Sequence, residues 1–290
     1  MEVITAKTAG FCFGVKRAMD MAILARKDSE KPIYTYGPLI HNQEVVKELE
    51  GKGITVLDEE GALHKKGDGT VIIRSHGVSK AVYEALENNG YKVVDATCPF
   101  VKKIHRIVNE KSKEGYKVLI AGNPEHPEVK GIVGWCEGDV RVIEKPEDLD
   151  TLPEDFRQKV CVVAQTTFNY NNFKIFLAKM EEILYDRLVY NSICNATQER
   201  QVEAKQVASV VDTMLVVGDR HSSNTQKLYE ICLQECEETH FVETVQDMDA
   251  HWFENAKRVG ITAGASTPQK IIEEVQKYVR EFWTDVRRKL

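Results

Sequence analysis

Apolar and polar positions along the chain repeat one pattern three times. Short β-branched runs ending in glycine stand at Ile33–Gly37, Val118–Gly122 and Met214–Gly218, each after a segment whose apolar residues recur at helical spacing. A second set of apolar runs follows at Val71–Arg74, Val160–Ala164 and Val259–Thr262. Runs of that length and composition predict strands, and the segments between them predict amphipathic helices. A cysteine opens each repeat: Phe11-Cys12-Phe13-Gly14-Val15, Thr97-Cys98-Pro99-Phe100-Val101 and Ile193-Cys194-Asn195-Ala196-Thr197, with separations of 86 and 96 residues. From each cysteine the glycine lies 25, 24 and 24 residues on, and a polar side chain (His41, His126, Ser222) lies 29, 28 and 28 residues on. The second strand leads to another polar group, His76, Thr166 or Ser266, at offsets of 64, 68 and 72.

The repeat predicts three α/β modules, bounded near residues 1–96, 97–192 and 193–290. Strands that alternate with helices build parallel sheets, and ligands of such sheets sit outside the carboxyl ends of the strands. All six polar landmarks fall at such ends. Three modules facing one another would converge three cysteines and six polar groups on one centre. Glu144–Asp155, with two prolines and six acids, predicts a loop, and the charged tail Trp283–Leu290 is expected to wrap another module or to fray.

Charge and length narrow the function classes. The 290 residues carry 39 Lys and Arg against 45 Asp and Glu, a net charge of −6. A nucleic-acid binder would want a basic face, so no nucleic-acid partner is expected. The apolar runs are short pieces such as Met214–Val217, far from the roughly 18 residues that a membrane span needs. The first residues lack a basic segment followed by an apolar core, so no signal peptide is expected and the chain reads as cytoplasmic.

Seven cysteines in a reducing compartment do not suggest a disulfide framework, and seven is odd. No C-x-x-C occurs among Cys12, Cys98, Cys136, Cys161, Cys194, Cys232 and Cys236, which removes the zinc-ribbon reading. Cys136 and Cys161 read as small buried apolar residues. Cys232 and Cys236, at i, i+4 on one helix, could bind metal but read better as a core face. The repeated placement of Cys12, Cys98 and Cys194 instead suggests three thiolates on a 4Fe–4S cluster whose fourth iron lacks a protein ligand.

Other landmarks fit an anionic substrate. His41, His76 and His126 follow strand ends and together would suit an anion. Ser222-Ser223-Asn224 opens a predicted helix, Gln226–Cys236, where unpaired backbone N–H groups and hydroxyls resemble a phosphate cradle; an ordinary N-cap explains the same residues. Ser266-Thr267-Pro268 reads as a cap followed by proline at the first helical position. Glu128, two residues past His126, could deliver protons, with a hydroxyl from Thr166 or Thr167 completing a relay. No Walker A or G-x-G-x-x-G loop is present, so nucleotide use is not expected.

These residues resemble the LytB/IspH family of 4-hydroxy-3-methylbut-2-enyl diphosphate reductases, the last enzymes of the non-mevalonate isoprenoid pathway. The most specific pieces are Gly10-Phe11-Cys12-Phe13-Gly14-Val15, Gly37-Pro38-Leu39-Ile40-His41-Asn42, Arg74-Ser75-His76-Gly77, Asp95-Ala96-Thr97-Cys98-Pro99, His126-Pro127-Glu128-Val129, Ile193-Cys194-Asn195-Ala196-Thr197 and Ser222-Ser223-Asn224-Thr225. The resemblance covers essentially the whole chain. It implies a trefoil of three α/β modules around one 4Fe–4S cluster held by Cys12, Cys98 and Cys194. It further implies that His41, His76, His126, Ser222, Ser223, Asn224 and Ser266 bind the diphosphate, while Glu128, Thr166 and His126 handle protons. Thr166 is favoured over Thr167 to face the substrate. The implied reaction is a two-electron reductive dehydroxylation giving isopentenyl and dimethylallyl diphosphate, with ferredoxin or flavodoxin as electron donor. A hydro-lyase or quinolinate-synthase-like enzyme would share the three cysteines and open iron, but Ser-Ser-Asn and His-Pro-Glu count against it. An iron–sulfur redox sensor would not need three histidines and a glutamate beside its cluster.

Overall fold

The β-branched runs become strands because each is apolar on both faces and finds a helix on either side. In this computed structural model, which describes residues 2–64, 66–184 and 186–289, twelve strands and ten α-helices alternate among the described residues. In chain order, β1 (Glu2–Thr5) and α1 (Phe13–Lys27) precede β2 (Ile33–Tyr36), α2 (Gln43–Gly51), β3 (Ile54–Leu57), α3 (Glu59–His64), β4 (Thr70–Ile73), α4 (Lys80–Asn88) and β5 (Lys92–Asp95). Then come α5 (Pro99–Lys113), β6 (Lys117–Ala121), α6 (Pro127–Val133), β7 (Val140–Ile143), β8 (Val160–Ala164), α7 (Tyr170–Ile183) and β9 (Arg187–Val189). The last are α8 (Asn195–Ala208), β10 (Thr213–Val217), α9 (Ser223–Glu235), β11 (Thr239–Val242), β12 (Arg258–Ala263) and α10 (Gln269–Lys289).

Three four-stranded sheets result, ordered β3-β2-β4-β5, β7-β6-β8-β9 and β11-β10-β12-β1, and every strand pair is parallel. The same order recurs in each. In the third sheet, however, the place of the last strand is taken by β1 from the start of the chain, with Ile4 opposite Gly260. By contact density the chain divides into two compact units. One comprises Gly14–Ile40 and Val46–Cys194 and holds the first two sheets; the other comprises Met1–Phe13, His41–Val45 and Asn195–Leu290 and holds the third.

The middle sheet illustrates how burial on both faces replaces polar alternation. Val118 and Ile120 of β6 pack with Cys161 and Val163 of β8 against Ile104 and Val108 of α5. Leu119 and Ala121 pack with Val162 and Ala164 on the opposite face, against Phe173 and Phe176 of α7.

Three local expectations change. Glu144–Asp155 contains two short 3₁₀ turns, because Asp148 accepts the amides of Glu144 and Lys145 (both 2.8 Å) and uses its charge as a cap. Helix α9 begins at Ser223 rather than Gln226, since the Ser222 hydroxyl accepts the Thr225 amide (3.4 Å) and extends the helix back by one turn. Pro268 stands just before α10 and its carbonyl accepts the Ile272 amide (3.4 Å), so Ser266 is released from capping. The backbone of the tail is helical to Lys289, while the side chains beyond Phe282, on which the wrapping expectation rests, lie outside the described residues.

Candidate active site

Cys12, Cys98 and Cys194 occupy the same local position. Each immediately precedes a helix, and each backbone amide donates to a carbonyl in a loop that follows a central strand. Cys98 donates to Ser75 after β4 (2.9 Å), Cys194 to Thr166 after β8 (3.0 Å), and Cys12 to Ala265 after β12 (3.2 Å). All three cysteines are partly exposed. The other four pack with the cores: Cys161 and Cys136 join the cluster under α5, and Cys232 and Cys236 join the cluster beneath α8. Burial pushes the Cys136, Cys161 and Cys232 thiols up to about 12, which keeps them protonated and poor ligands.

Within the larger unit, a carboxyl, a hydroxyl and two imidazoles gather at strand ends. His126 caps α6, its Nδ1 accepting the Glu128 amide (3.1 Å), and that cap turns Glu128 inward. Glu128 is only 1 % exposed. Its two carboxyl oxygens accept the Thr166 amide (2.6 Å) and the Thr166 hydroxyl (2.7 Å). Burial raises the Glu128 carboxyl to about 7, against the opposing pull of both Thr166 hydrogen bonds. A carboxyl there carries a proton near neutrality, as a general acid must. Thr167 turns the other way, its hydroxyl accepting the Gln165 amide side chain (3.1 Å). His76 meets His126 edge to face, with ring centroids 5.3 Å apart and planes at 86°.

Within the smaller unit, a second cluster assembles around the start of α9. The Ser266 hydroxyl donates to the His41 carbonyl (2.9 Å) and lies 3.5 Å from the Ser222 hydroxyl. Asp219 accepts the amides of His221 (2.7 Å) and Gln43 (3.1 Å), which ties the His41–Val45 segment to the loop after β10. Ser223 is partly buried in the first turn of α9. Asn224 is 5 % exposed, and neither its amide nitrogen nor its amide oxygen has a hydrogen-bond partner among the described residues. An orphaned buried amide is costly. It makes sense at a helix N-terminus built to receive an anion.

Two arginines, absent from the sequence reading, hold the loops that carry the cysteines. Arg200 of α8, 3 % exposed, donates to the carbonyls of Gly10 (2.7 Å) and Thr8, just before Cys12. Arg17 of α1 donates to the Thr97 carbonyl (3.2 Å), just before Cys98. Arg200 and its acceptors are 190 and 192 residues apart, so no local pattern could have revealed them.

Parallel α/β sheets with thiols, imidazoles, hydroxyls and a buried carboxyl beyond the carboxyl ends of strands define an α/β enzyme. The family model for LytB protein matches residues 3–280, and the chain belongs to that family. It is 48 % identical over 278 residues to the 4-hydroxy-3-methylbut-2-enyl diphosphate reductase of Alkaliphilus oremlandii (95 % of this chain, 98 % of that protein). It is 44 % identical over 285 residues to the enzyme of the same name from Caldanaerobacter subterraneus subsp. tengcongensis (97 % and 98 %). Among solved structures, (E)-4-hydroxy-3-methyl-but-2-enyl diphosphate reductase, described as the terminal enzyme of the non-mevalonate pathway, aligns with a TM-score of 0.70 at 42 % identity, covering 97 % of this chain and 100 % of that one. The E-1-hydroxy-2-methyl-but-2-enyl-4-diphosphate reductase of Plasmodium falciparum aligns with a TM-score of 0.86 at 29 % identity, covering 96 % and 87 %.

Proposed function

We propose that this chain is a 4-hydroxy-3-methylbut-2-enyl diphosphate reductase that yields isopentenyl and dimethylallyl diphosphate, the last step of the non-mevalonate isoprenoid pathway. Family membership over nearly the whole chain supports the reading. The observation that carries its chemistry is Glu128, a buried carboxyl raised to about 7 and paired with Thr166 at a strand end. Removing an allylic hydroxyl requires an acid, because water leaves far more readily than hydroxide.

Cys12, Cys98 and Cys194, one from each of the modules 1–96, 97–192 and 193–290, hold a 4Fe–4S cluster in this reading. They fit it: three partly exposed thiols stand at equivalent points of three equivalent loops, whereas the other four pack against apolar clusters. Once bound, the cluster supplies the two electrons and, through an iron without a protein ligand, a Lewis acid for the substrate oxygen. The diphosphate is held by His41, His76, His126, Ser222, Ser223, Asn224 and Ser266, and the Asn224 side-chain N–H groups donate to its oxygens. Glu128 passes its proton toward the departing hydroxyl, Thr166 orients that carboxyl, and His126 fixes its backbone. Electrons come from a small carrier such as ferredoxin or flavodoxin, consistent with a cytoplasmic setting.

The test is anaerobic turnover. Purified protein carrying iron and sulfide, given (E)-4-hydroxy-3-methylbut-2-enyl diphosphate and a reduced viologen, is expected to oxidise the viologen and release both five-carbon diphosphates. Iron-loaded protein that leaves the substrate unchanged would overturn the proposal.

A further inference from the structure

The segment that carries His76 is gripped from below by residues outside the proposed chemistry. His105 lies on α5, seven residues past Cys98, and is 6 % exposed. Its ring stacks on Trp135, with centroids 5.4 Å apart and planes 18° from parallel. Its edge presses on the Gly77 backbone: a Cβ at Gly77 would stand 2.6 Å from His105 Cε1 and 3.0 Å from the Thr97 side chain. Only glycine tolerates that approach, and Gly77 also has φ +73°.

Helix α6 grips the same segment at both ends. At its start, His126 meets His76 edge to face. Just past its end, the Trp135 indole N–H donates to the Val78 carbonyl (2.9 Å), and Gly134 packs so closely that a Cβ would lie 2.1 Å from Ser79 Cβ. Residues 76–79 therefore lie along α6, with the imidazole of His105 filling the space beneath Gly77. Burial lowers the His105 pKa to about 4, so a flat, neutral ring occupies that space at physiological pH.

We infer that His105, stacked on Trp135, is a positioning residue for His76: it holds the Gly77 turn at the height where His76 meets His126. The inference rests on the proposed role of His76 in diphosphate binding. An emptied site beneath Gly77 would let the turn sink and the His76 ring leave its partner, and misplaced binding groups cost affinity steeply. The loss should therefore appear in binding of the anion and not in the proton step at Glu128.

The experiment compares His105→Ala with His105→Phe, which restores a flat ring of similar reach, and with Met180→Ala, a truncation in a core cluster of the same unit that contains none of residues 76–79. Two readouts are taken on iron-loaded protein: KM and kcat for the substrate, and the affinity for inorganic pyrophosphate by calorimetry. His105→Ala is expected to raise KM and weaken pyrophosphate binding by about tenfold or more, with kcat changed less than about threefold. His105→Phe should recover most of that loss, and Met180→Ala should leave pyrophosphate affinity near the parent value. Unchanged pyrophosphate affinity in a folded His105→Ala protein would overturn the inference, as would an equal loss in Met180→Ala. A parent that fails to reduce the substrate counts against the proposed activity instead, and leaves the pyrophosphate comparison able to decide on His105.

Discussion

Glu128 and Asn224 are each buried at a helix start, and burial acts on them differently. Glu128 keeps its proton to about pH 7, whereas an exposed carboxyl would lose it near 4.5. Between those values the folded chain holds a proton that the unfolded chain has released, so this residue's contribution to stability falls as pH rises through the window and stays low above it. Glu128→Gln should therefore gain stability over the parent at about pH 8 and gain little at about pH 5, as urea midpoints would register. Turnover should move oppositely. The amide cannot donate a carboxyl proton, so kcat should fall by about 10²–10⁴ with iron content retained, and the parent's decline in rate above about pH 7 should vanish from the variant's profile. For Asn224 the orphaned amide separates binding from folding. Asn224→Leu keeps the shape and removes the unsatisfied groups, so the melting temperature should hold or rise. Pyrophosphate affinity measured by calorimetry should drop about ten- to a hundredfold, the worth of one or two hydrogen bonds to a charged oxygen. A variant that melts early yet binds normally would mean that the Asn224 amide has a structural partner.

Among the elements, the six central strands were legible because burial on both faces leaves unbroken β-branched runs. The outer strands were not. β3 and β7 are partly exposed and only four residues long, and such short, incompletely buried stretches look like loops. β1 could not be read at all, since its partner β12 lies about 250 residues away in sequence. The cysteines were legible through repetition; the carbonyls that fix them and the arginines that fix their loops were not, because those contacts exist only after folding. The pairing of β1 yields a directional prediction. The Glu2 and Ala6 amides donate to Lys257 and Ile261, so even-numbered residues of β1 point their N–H groups at β12. Ile4→Pro removes an inward donor and should cost about 1 kcal/mol or more in urea unfolding, whereas Val3→Pro should cost less. Equal costs would contradict the register.

For the whole molecule, one strand order used three times puts each proposed ligand at the same point of a repeating unit, which is why a single spacing pattern carried so much of the site. The net charge is −6, and no helix among the described residues is long and apolar enough to cross a membrane. The central claim is that Cys12, Cys98 and Cys194 alone among the seven cysteines hold the cluster. Iron and acid-labile sulfide per chain, measured after identical anaerobic loading of the parent and of single Cys→Ser variants, test it most directly. The account predicts roughly four irons in the parent and in Cys136→Ser, and loss of most iron and sulfide in Cys12→Ser, Cys98→Ser and Cys194→Ser. Full iron in any of those three, or an equal loss in Cys136→Ser, would contradict it.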